Sequence, residues 1–206
     1  MPDAPGGAVV HPLTPERWAD LEALFGERGA VAGCWCMWWR LTRAEWSKRA
    51  GEGNRRALRA IAEEGRVPGL LAYLDGRPVG WCSVAPRAEF PALDRSPVLR
   101  RVDAAAVWSI VCFYIDRRAR RRGVMDLLIR AAAEHAARNG ARVVEAYPVD
   151  PVGPGKVSTG SAFTGFAAAF RRAGFVEVER RSPARPIMRL EVGGGPPGVG
   201  ENREGH

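Results

Sequence analysis

The distribution of apolar and polar residues along the 206-residue chain predicts alternating strands and helices. The run VWSIVCFYI, which ends at Ile115, has eight apolar or aromatic residues out of nine and is typical of a strand buried on both faces. Apolar residues then recur at helical spacing from Val124 until Asn139 and Gly140 end the helix. The next apolar run, ARVVEAYPV, predicts a second strand, so the three elements form a right-handed parallel crossover.

Capping and turn signals place the remaining elements. Thr14 and Pro15 predict the start of a helix that runs to about Phe25, and Thr42 and Glu45 have the spacing of a capping box. The runs GLLAYL and RPVGWCSVAP, joined by Asp-Gly, predict a β-hairpin. Further predictions are a helix from Asn54 to Gly65, short turns in residues 87–103, a helix with Phe163, Phe166, Ala167 and Phe170 on one stripe, and a closing hairpin from Phe175 to about Val192.

These elements predict a single α/β domain with a mixed sheet over residues 8–192. Residues 1–7 and the Gly- and Pro-rich residues 193–206 have the composition of disordered ends. No apolar window reaches the length of a membrane span and the chain begins without a secretory signal pattern, so we expect a cytoplasmic protein with no membrane partner. In that reducing setting, free thiols are the better interpretation of the four cysteines.

A basic turn joins the buried strand to the long helix. The net charge of +8 favours acidic partners, and the segment RRARRRG concentrates arginines where the helix begins. The first N–H groups of a helix lack internal partners and carry partial positive charge. Arg120, Arg121 and Arg122 would add charge, and Gly123 would allow close approach, so the turn predicts a pyrophosphate site.

The same turn resembles the phosphate-binding motif of the GNAT superfamily of acyl-CoA dependent N-acetyltransferases. That motif has Gln or Arg, two residues, Gly, one residue, then Gly or Ala; here it runs from Arg120 through Gly123 and Val124 to Met125, which replaces the usual small residue. The order of elements over residues 8–192, with the terminal AGFVEV, is also similar, and segments such as CWCMWWR and EAYPVD look like a bacterial subgroup.

The resemblance implies a mixed, mostly antiparallel sheet of about six to seven strands, with a central parallel pair splayed to hold acyl-CoA and about four flanking helices. It implies transfer of acetyl from acetyl-CoA to a primary amine of a small molecule or peptide, by direct attack in a ternary complex. The thioester carbonyl would meet a backbone N–H near Val111 or Cys112. The implied acyl-CoA contacts are Cys112, Phe113, Tyr114, Ile115, Arg120, Arg121, Arg122, Gly123, Val124 and Met125.

Candidate catalytic groups lie on the second strand of the pair and just after it. Glu145 and Asp150 are candidate bases for the acceptor amine, with a surface or ion-paired acid as the alternative for each. The family's usual acid is a tyrosine where this chain has Phe170, so Tyr147 or Tyr114 would have to replace it. Either tyrosine could instead be a core aromatic residue with a satisfied hydroxyl.

The tryptophan-rich segment GCWCMWWR predicts an aromatic acceptor pocket, which could also hold a cation. The candidate substrate contacts are Trp35, Trp38, Trp39 and Trp81. Packing of these rings onto the core is an equal alternative, and a zinc site from Cys34 and Cys36 with a further cysteine is a less favoured one, so no metal is expected.

Two other functions remain open. The fold could bind acyl-CoA without transferring an acyl group, or the arginines could bind nucleic acid. We expect no nucleic-acid partner because the arginines are confined to one turn, and a homodimer is compatible with the sequence. His135 is expected to be packed rather than catalytic, and Lys156 lacks the spacing of a P-loop.

Overall fold

A computed structural model describes residues 7–152 and 162–193. Within these ranges, seven strands form one sheet with the order β1-β2-β3-β4-β5-β7-β6. The strands are β1 Ala8–Pro12, β2 Leu70–Leu74, β3 Arg77–Pro86, β4 Trp108–Ile115, β5 Val143–Ala146, β6 Val176–Arg180 and β7 Pro186–Glu191. The α-helices are α1 Trp18–Phe25, α2 Arg43–Lys48, α3 Glu52–Glu63, α4 Pro91–Asp94, α5 Val124–Arg138 and α6 Ala167–Arg172. Neighbouring strands are antiparallel except for the central pair β4 and β5.

The predicted α/β class and mixed sheet are confirmed, with small differences among the helices. The described residues contain six α-helices, because two short ones, α2 and α4, add to the expected four. The predicted last helix begins later than Phe163, which lies in the 3-10 turn Ala162–Thr164. Gly165 has a φ of 81°, which interrupts the helix before Ala167. The predicted capping box at the start of α2 is present.

The hairpin between β2 and β3 follows directly from its turn residues. Asp75 and Gly76 have φ angles of 49° and 74°, as a two-residue turn with two left-handed positions requires. β2 is buried along its whole length, because its alternate side chains enter two different cores. Ala72 joins the core beneath α5, whereas Leu71 and Tyr73 join the core formed with α1 and α3.

The central strand β4 changes its neighbours halfway along. Its parallel pairing with β5 ends at Ile110 and Ala146, although β4 continues to Ile115. On the other edge, the register with β3 shifts so that Val111 has no opposite residue. Beyond Ile110, β3 is the only strand among the described residues that pairs with β4. The central pair is therefore splayed, as the resemblance implied.

The ends predicted to be disordered, residues 1–7 and 193–206, lie outside the described ranges except for Gly7 and Gly193. The Lys156 segment, residues 153–161, also lies outside them. None of the helices in residues 7–152 and 162–193 is long and apolar enough to cross a membrane.

Candidate active site

The arginine-rich turn is an open, positively charged surface at the end of β4. The 3-10 turn Arg117–Ala119 follows the strand, and buried Ala119 anchors it to the core. Gly123 immediately precedes α5 with a φ of 74°. A Cβ added there would meet no atom within 4 Å, so backbone conformation rather than crowding favours glycine. The space above Gly123 is open to a ligand.

Five arginines of this turn are exposed and form no ion pair with any described residue. They are Arg117, Arg118, Arg120, Arg121 and Arg122. Most other arginines of the described chain are paired with carboxylates, as Arg172 is with Asp126 at 2.8 Å. The side chain of Met125 packs against the core under α5, which accommodates the departure from a small residue at this motif position. The turn therefore offers unpaired positive charge to a polyanion.

A cavity of about 580 Å³ lies beside the second half of β4. Its walls come from the link between α1 and α2 together with α2 itself, the segment between α4 and β4, β4, the 3-10 turn Ala162–Thr164 and the residue before β7. Described residues that line it are Ala30, Val31, Ala32, Cys34, Cys36, Trp38, Trp39, Trp46, Ser96, Val98, Leu99, Cys112, Phe113, Tyr114, Phe163 and Arg185. This size is within the usual range of small-molecule pockets.

The structure separates the four predicted substrate tryptophans into two pairs. Trp38 and Trp39 line the cavity, together with Trp46, which meets Trp38 edge-on at 5.0 Å. Trp35 instead stacks on a core tryptophan, and Trp81 is completely buried with its indole N–H donating to a cysteine sulfur. Neither Trp35 nor Trp81 is among the described lining residues, so the structure does not bring these two predicted substrate contacts to the cavity.

The link between α1 and α2 has an unusual backbone. Ala30, Ala32, Trp35 and Cys36 all have positive φ angles, between 46° and 67°. A non-glycine residue in this left-handed region costs roughly 1–2 kcal/mol. Burial of Trp35 and Cys36 in the core compensates for that strain. The segment that forms one wall of the cavity is therefore held in a shape that local preferences alone would not select.

Two thiols meet at the base of the cavity. The sulfur atoms of Cys36 and Cys112 are 3.2 Å apart, and all four cysteines are free. The hydrogen bond to Cys112, together with burial, raises the pKa of Cys36 well above that of an ordinary thiol. Burial likewise raises the pKa of Cys34. No group of three His, Cys, Asp or Glu residues suited to a metal occurs in the part of the chain that the structure describes.

Glu145 and Tyr147 lie in a buried polar network rather than in the cavity. The side chain of Glu145 is 1% exposed; one of its oxygens accepts from Arg87 at 2.9 Å and the other from Arg189 at 2.7 Å. The hydroxyl of Tyr147 donates to Glu145 at 2.6 Å and lies 2.8 Å from the hydroxyl of Ser109. Burial, reinforced by Glu145, raises the pKa of Tyr147 well above its usual value. These contacts argue against the predicted base and acid roles, because both groups are occupied and neither lines the cavity.

Asp150 is held in a second ion cluster. It accepts from Arg171 at 2.8 Å and from Arg180 at 2.7 Å. These hydrogen bonds, Arg171 first, lower the pKa of Asp150 to about 2. A carboxylate with so low a pKa is a weak base. Asp150 is also absent from the described cavity lining. The structure therefore argues against its predicted base role.

Tyr114 is the tyrosine that the structure brings to the cavity. It lies on β4 two residues after Cys112 and lines the cavity, where its hydroxyl has no hydrogen-bond partner among the described residues. Phe170 is instead fully buried against Phe113 and Phe175, so no side chain from that position of α6 reaches the cavity. Of the two tyrosines predicted to replace the usual acid, only Tyr114 is in a position to do so.

Sequence reasoning missed two arginines. Arg87, 2% exposed, joins Glu145 to Asp94 and to the carbonyl oxygen of Leu99, and so fixes the segment that carries a cavity wall. Arg185 lines the cavity and donates to the hydroxyl of Thr164 at 2.8 Å. No local pattern distinguishes either residue from the other arginines, because their partners are distant in sequence.

Comparison with known proteins identifies the class. Residues 35–152 match the sequence profile of the acetyltransferase (GNAT) family. Because the match covers more than half of the chain, the chain belongs to that family and is an acetyltransferase. Its family uses acetyl-CoA as acyl donor and acts on amine acceptors. The splayed strand, the open Gly123 and the unpaired arginines fit such a donor. No curated protein matches the chain.

Solved structures share the fold at low sequence identity. A GNAT-family acetyltransferase from Listeria monocytogenes has a TM-score of 0.56 and 10% identity, covering 90% of this chain and 95% of that chain. The PaiA N-acetyltransferase from Thermoplasma acidophilum, solved in complex with coenzyme A, has a TM-score of 0.52 and 12% identity, covering 89% and 98%. A ribosomal-protein-alanine N-acetyltransferase from Brucella melitensis has a TM-score of 0.51 and 17% identity, covering 89% and 99%. At these identities the comparison supports the fold alone.

Proposed function

We propose that the chain transfers an acetyl group from acetyl-CoA to a primary amine by direct attack in a ternary complex. The observation that carries the proposal is the cluster of unpaired arginines at the end of the splayed strand, beside the cavity. A polyanionic donor and an organic acceptor would then meet along β4. The phosphates of the donor would bind at the arginine turn, and the acceptor would bind in the cavity.

The donor would be held by the turn and by the strand. Arg120, Arg121 and Arg122 would pair with phosphate oxygens, and the first N–H groups of α5, from Val124 on, would face the pyrophosphate. The main chain of residues 112–115 would pair with the pantetheine arm, because β5 does not pair with that part of β4. Met125, which packs into the core, would support this turn from below.

Transfer would occur where the cavity meets β4. The lone pair of the amine attacks the thioester carbon, and a backbone N–H near Val111 or Cys112 stabilises the oxyanion. The C–S bond then breaks, the thiolate leaves, and the nitrogen loses its proton to water. Tyr114 would donate a proton to the thiolate and regain one from solvent. An ordinary thiol has a pKa near ~8.5, so this assistance would be modest.

A second candidate function is acyl-CoA binding without transfer. It is favoured by one observation: the described residues that line the cavity include no Asp, Glu or His. Nucleic-acid binding is a weaker candidate, because the unpaired arginines occupy a single turn. We retain the prediction of a cytoplasmic location, which free thiols favour, and a homodimer is compatible with the sequence.

The proposal can be tested by isothermal titration of acetyl-CoA at two salt concentrations, with dephospho-CoA and a short DNA duplex as comparisons. We expect one-to-one binding of acetyl-CoA, weaker binding of dephospho-CoA, and no salt-resistant binding of the duplex. A mass-spectrometric search for acetylated amines then separates transfer from binding alone. Binding of the duplex without acetyl-CoA binding would overturn the proposal.

A further inference from the structure

We infer that the acceptor is an aromatic, weakly basic amine that arrives uncharged, such as an arylamine or arylhydrazine, and that no side-chain base deprotonates it. This inference rests on the proposed function and names the class of its second substrate. Two features of the cavity support it: the absence of anionic groups in its described lining and its aromatic shape.

The described lining of the cavity is mostly apolar. Alanine, valine, leucine, tryptophan and phenylalanine side chains form most of it. Its polar members are Ser96, Cys34, Cys36, Cys112, Tyr114 and Arg185, so no carboxylate or imidazole is present in this described lining. Binding of an alkylammonium ion would require the counter-charge that this lining lacks.

The two carboxylates predicted as bases, Glu145 and Asp150, are already occupied by arginines. Glu145 is paired with Arg87 and Arg189, and Asp150 with Arg171 and Arg180. Neither group can accept a proton without losing two charged hydrogen bonds, which makes proton transfer to it unfavourable. The chemistry therefore requires an acceptor that is neutral before it binds.

An ammonium group would be desolvated in this cavity, because the described lining supplies no carboxylate to pair with it. Contact with the tryptophan faces would attract a cation, but that attraction is smaller than the cost of desolvating it. The balance favours a neutral amine over a cationic one.

The aromatic walls fit a planar ring. The rings of Trp38 and Trp46 are nearly perpendicular, with an interplanar angle of 85°. The ring centroids of Trp39 and Phe163 are 6.2 Å apart. Rings arranged in this way leave faces and edges for a further aromatic ring to pack against. The volume of about 580 Å³ is large enough for a substituted aromatic ring together with the acyl end of the donor.

The reaction balances without a base on the protein. An alkylamine resembles the lysine side chain, with a pKa near ~10.4, so roughly one molecule in a thousand or fewer is neutral at pH 7. An aromatic amine is neutral at that pH, because its lone pair is shared with the ring. After the N–C bond forms, the positively charged nitrogen is strongly acidic and passes its proton to water. The leaving thiolate takes its proton from Tyr114 or from solvent.

The first test compares three acceptors with acetyl-CoA: 4-methoxyaniline, 4-methoxybenzylamine and spermidine. Product formation is measured by chromatography from pH 6 to pH 9. We expect kcat/KM for 4-methoxyaniline to exceed that for the other two at pH 7 by roughly tenfold or more and to change little with pH. For 4-methoxybenzylamine it should rise about tenfold per pH unit, following its neutral fraction. Preference for spermidine, or an acid limb in the 4-methoxyaniline profile well above that amine's own pKa, would overturn the inference.

A pair of variants tests the role of the missing carboxylate. The hydroxyl of Ser96 accepts from the N–H of Leu99 at 3.2 Å, a contact that Asp or Asn at this position can also make. Ser96→Asp places a carboxylate on the cavity wall, and Ser96→Asn is its uncharged control. We expect Ser96→Asp to raise kcat/KM for 4-methoxybenzylamine about tenfold relative to Ser96→Asn. Equal values for the two variants would contradict the inference.

Titration of acetyl-CoA into the same samples separates the two levels of the proposal. If acetyl-CoA binds and spermidine is the preferred acceptor, the acetyltransferase function stands and the inference about the acceptor is wrong. If acetyl-CoA binds but no amine of any class is acetylated, both the transfer function and the inference fail.

Discussion

The two halves of strand β4 differ in their neighbours and in their chemistry. Residues 108–110 pair with both β3 and β5, and Ser109 lies opposite Glu145 in the buried polar network. The second half begins at the register shift at Val111, and residues 112–115 pair with β3 alone among the described strands. This half contributes to the cavity before the chain enters the arginine turn. One strand thus has a half that is paired on both edges and a half with one open edge. The buried ionisable residues lie beside the first half, whereas the groups available to substrates lie beside the second.

The largest effect we predict is at Glu145, which lies on β5 opposite the paired half of β4. Glu145→Ala leaves Arg87 buried without this partner, and loss of one member of a buried ion pair costs roughly 3–5 kcal/mol of unfolding free energy. Glu145→Gln, which keeps the side-chain volume, should cost less. Urea unfolding measures the loss, and kcat of the folded enzyme should stay within a few-fold. Normal stability with a collapsed kcat would restore the base role for Glu145.

The next effect concerns the arginine turn beyond the open half. Gly123→Asp adds a negative charge where phosphates are proposed to bind, whereas Gly123→Asn adds similar bulk and tolerates the same positive φ. We expect the Kd for acetyl-CoA to rise about a hundredfold in the Asp variant, roughly 2.7 kcal/mol, and much less in the Asn variant. Calorimetry measures both. Equal affinities in the two variants would remove the phosphate assignment.

A smaller effect is expected at Tyr114, which lines the cavity. Tyr114→Phe should lower kcat roughly tenfold, because the leaving thiolate needs only modest help, with little change in the KM for acetyl-CoA. Tyr147→Phe, just after β5, is the matched control; it removes a buried hydrogen bond and should cost roughly 1–2 kcal/mol of stability rather than activity. If kcat fell only in Tyr147→Phe, the acid would be Tyr147 rather than Tyr114.

The smallest effect is the pH dependence carried by Asp150. Its pKa falls from roughly 3.9 in the unfolded chain to about 2 in the folded protein. Its contribution to stability is therefore fully present above pH ~4 and is lost as the pH falls toward about 2. Melting temperatures of the protein and of Asp150→Asn should differ above pH 5 and converge in acid, with kcat similar at pH 7. A large fall in the kcat of Asp150→Asn would instead indicate that Asp150 is the general base.

Much of the fold was predictable because its signals are local. The Asp-Gly turn, the capping box at Thr42 and the apolar run of β4 each specify a conformation within a few residues. The arginine turn was predictable for the same reason, since its charges and Gly123 are contiguous in the sequence.

The cavity was only partly predictable, because five separate segments form its walls. Trp38 and Trp81 cannot be distinguished by composition, yet one lines the cavity and the other is fully buried. Glu145 and Asp150 looked like bases because their arginine partners are between 21 and 58 residues away in sequence. Long-range ion pairing of this kind leaves no periodic signal.

The indole of Trp39 donates to the carbonyl oxygen of Val111 at 3.1 Å. That carbonyl and the N–H of Cys112 belong to one planar peptide group and cannot turn independently. Trp39 therefore helps to fix the orientation of this peptide plane. A molecule that displaced the indole from within the cavity would also tilt the N–H of Cys112, so the proposed acceptor pocket and the proposed oxyanion donor share one peptide group.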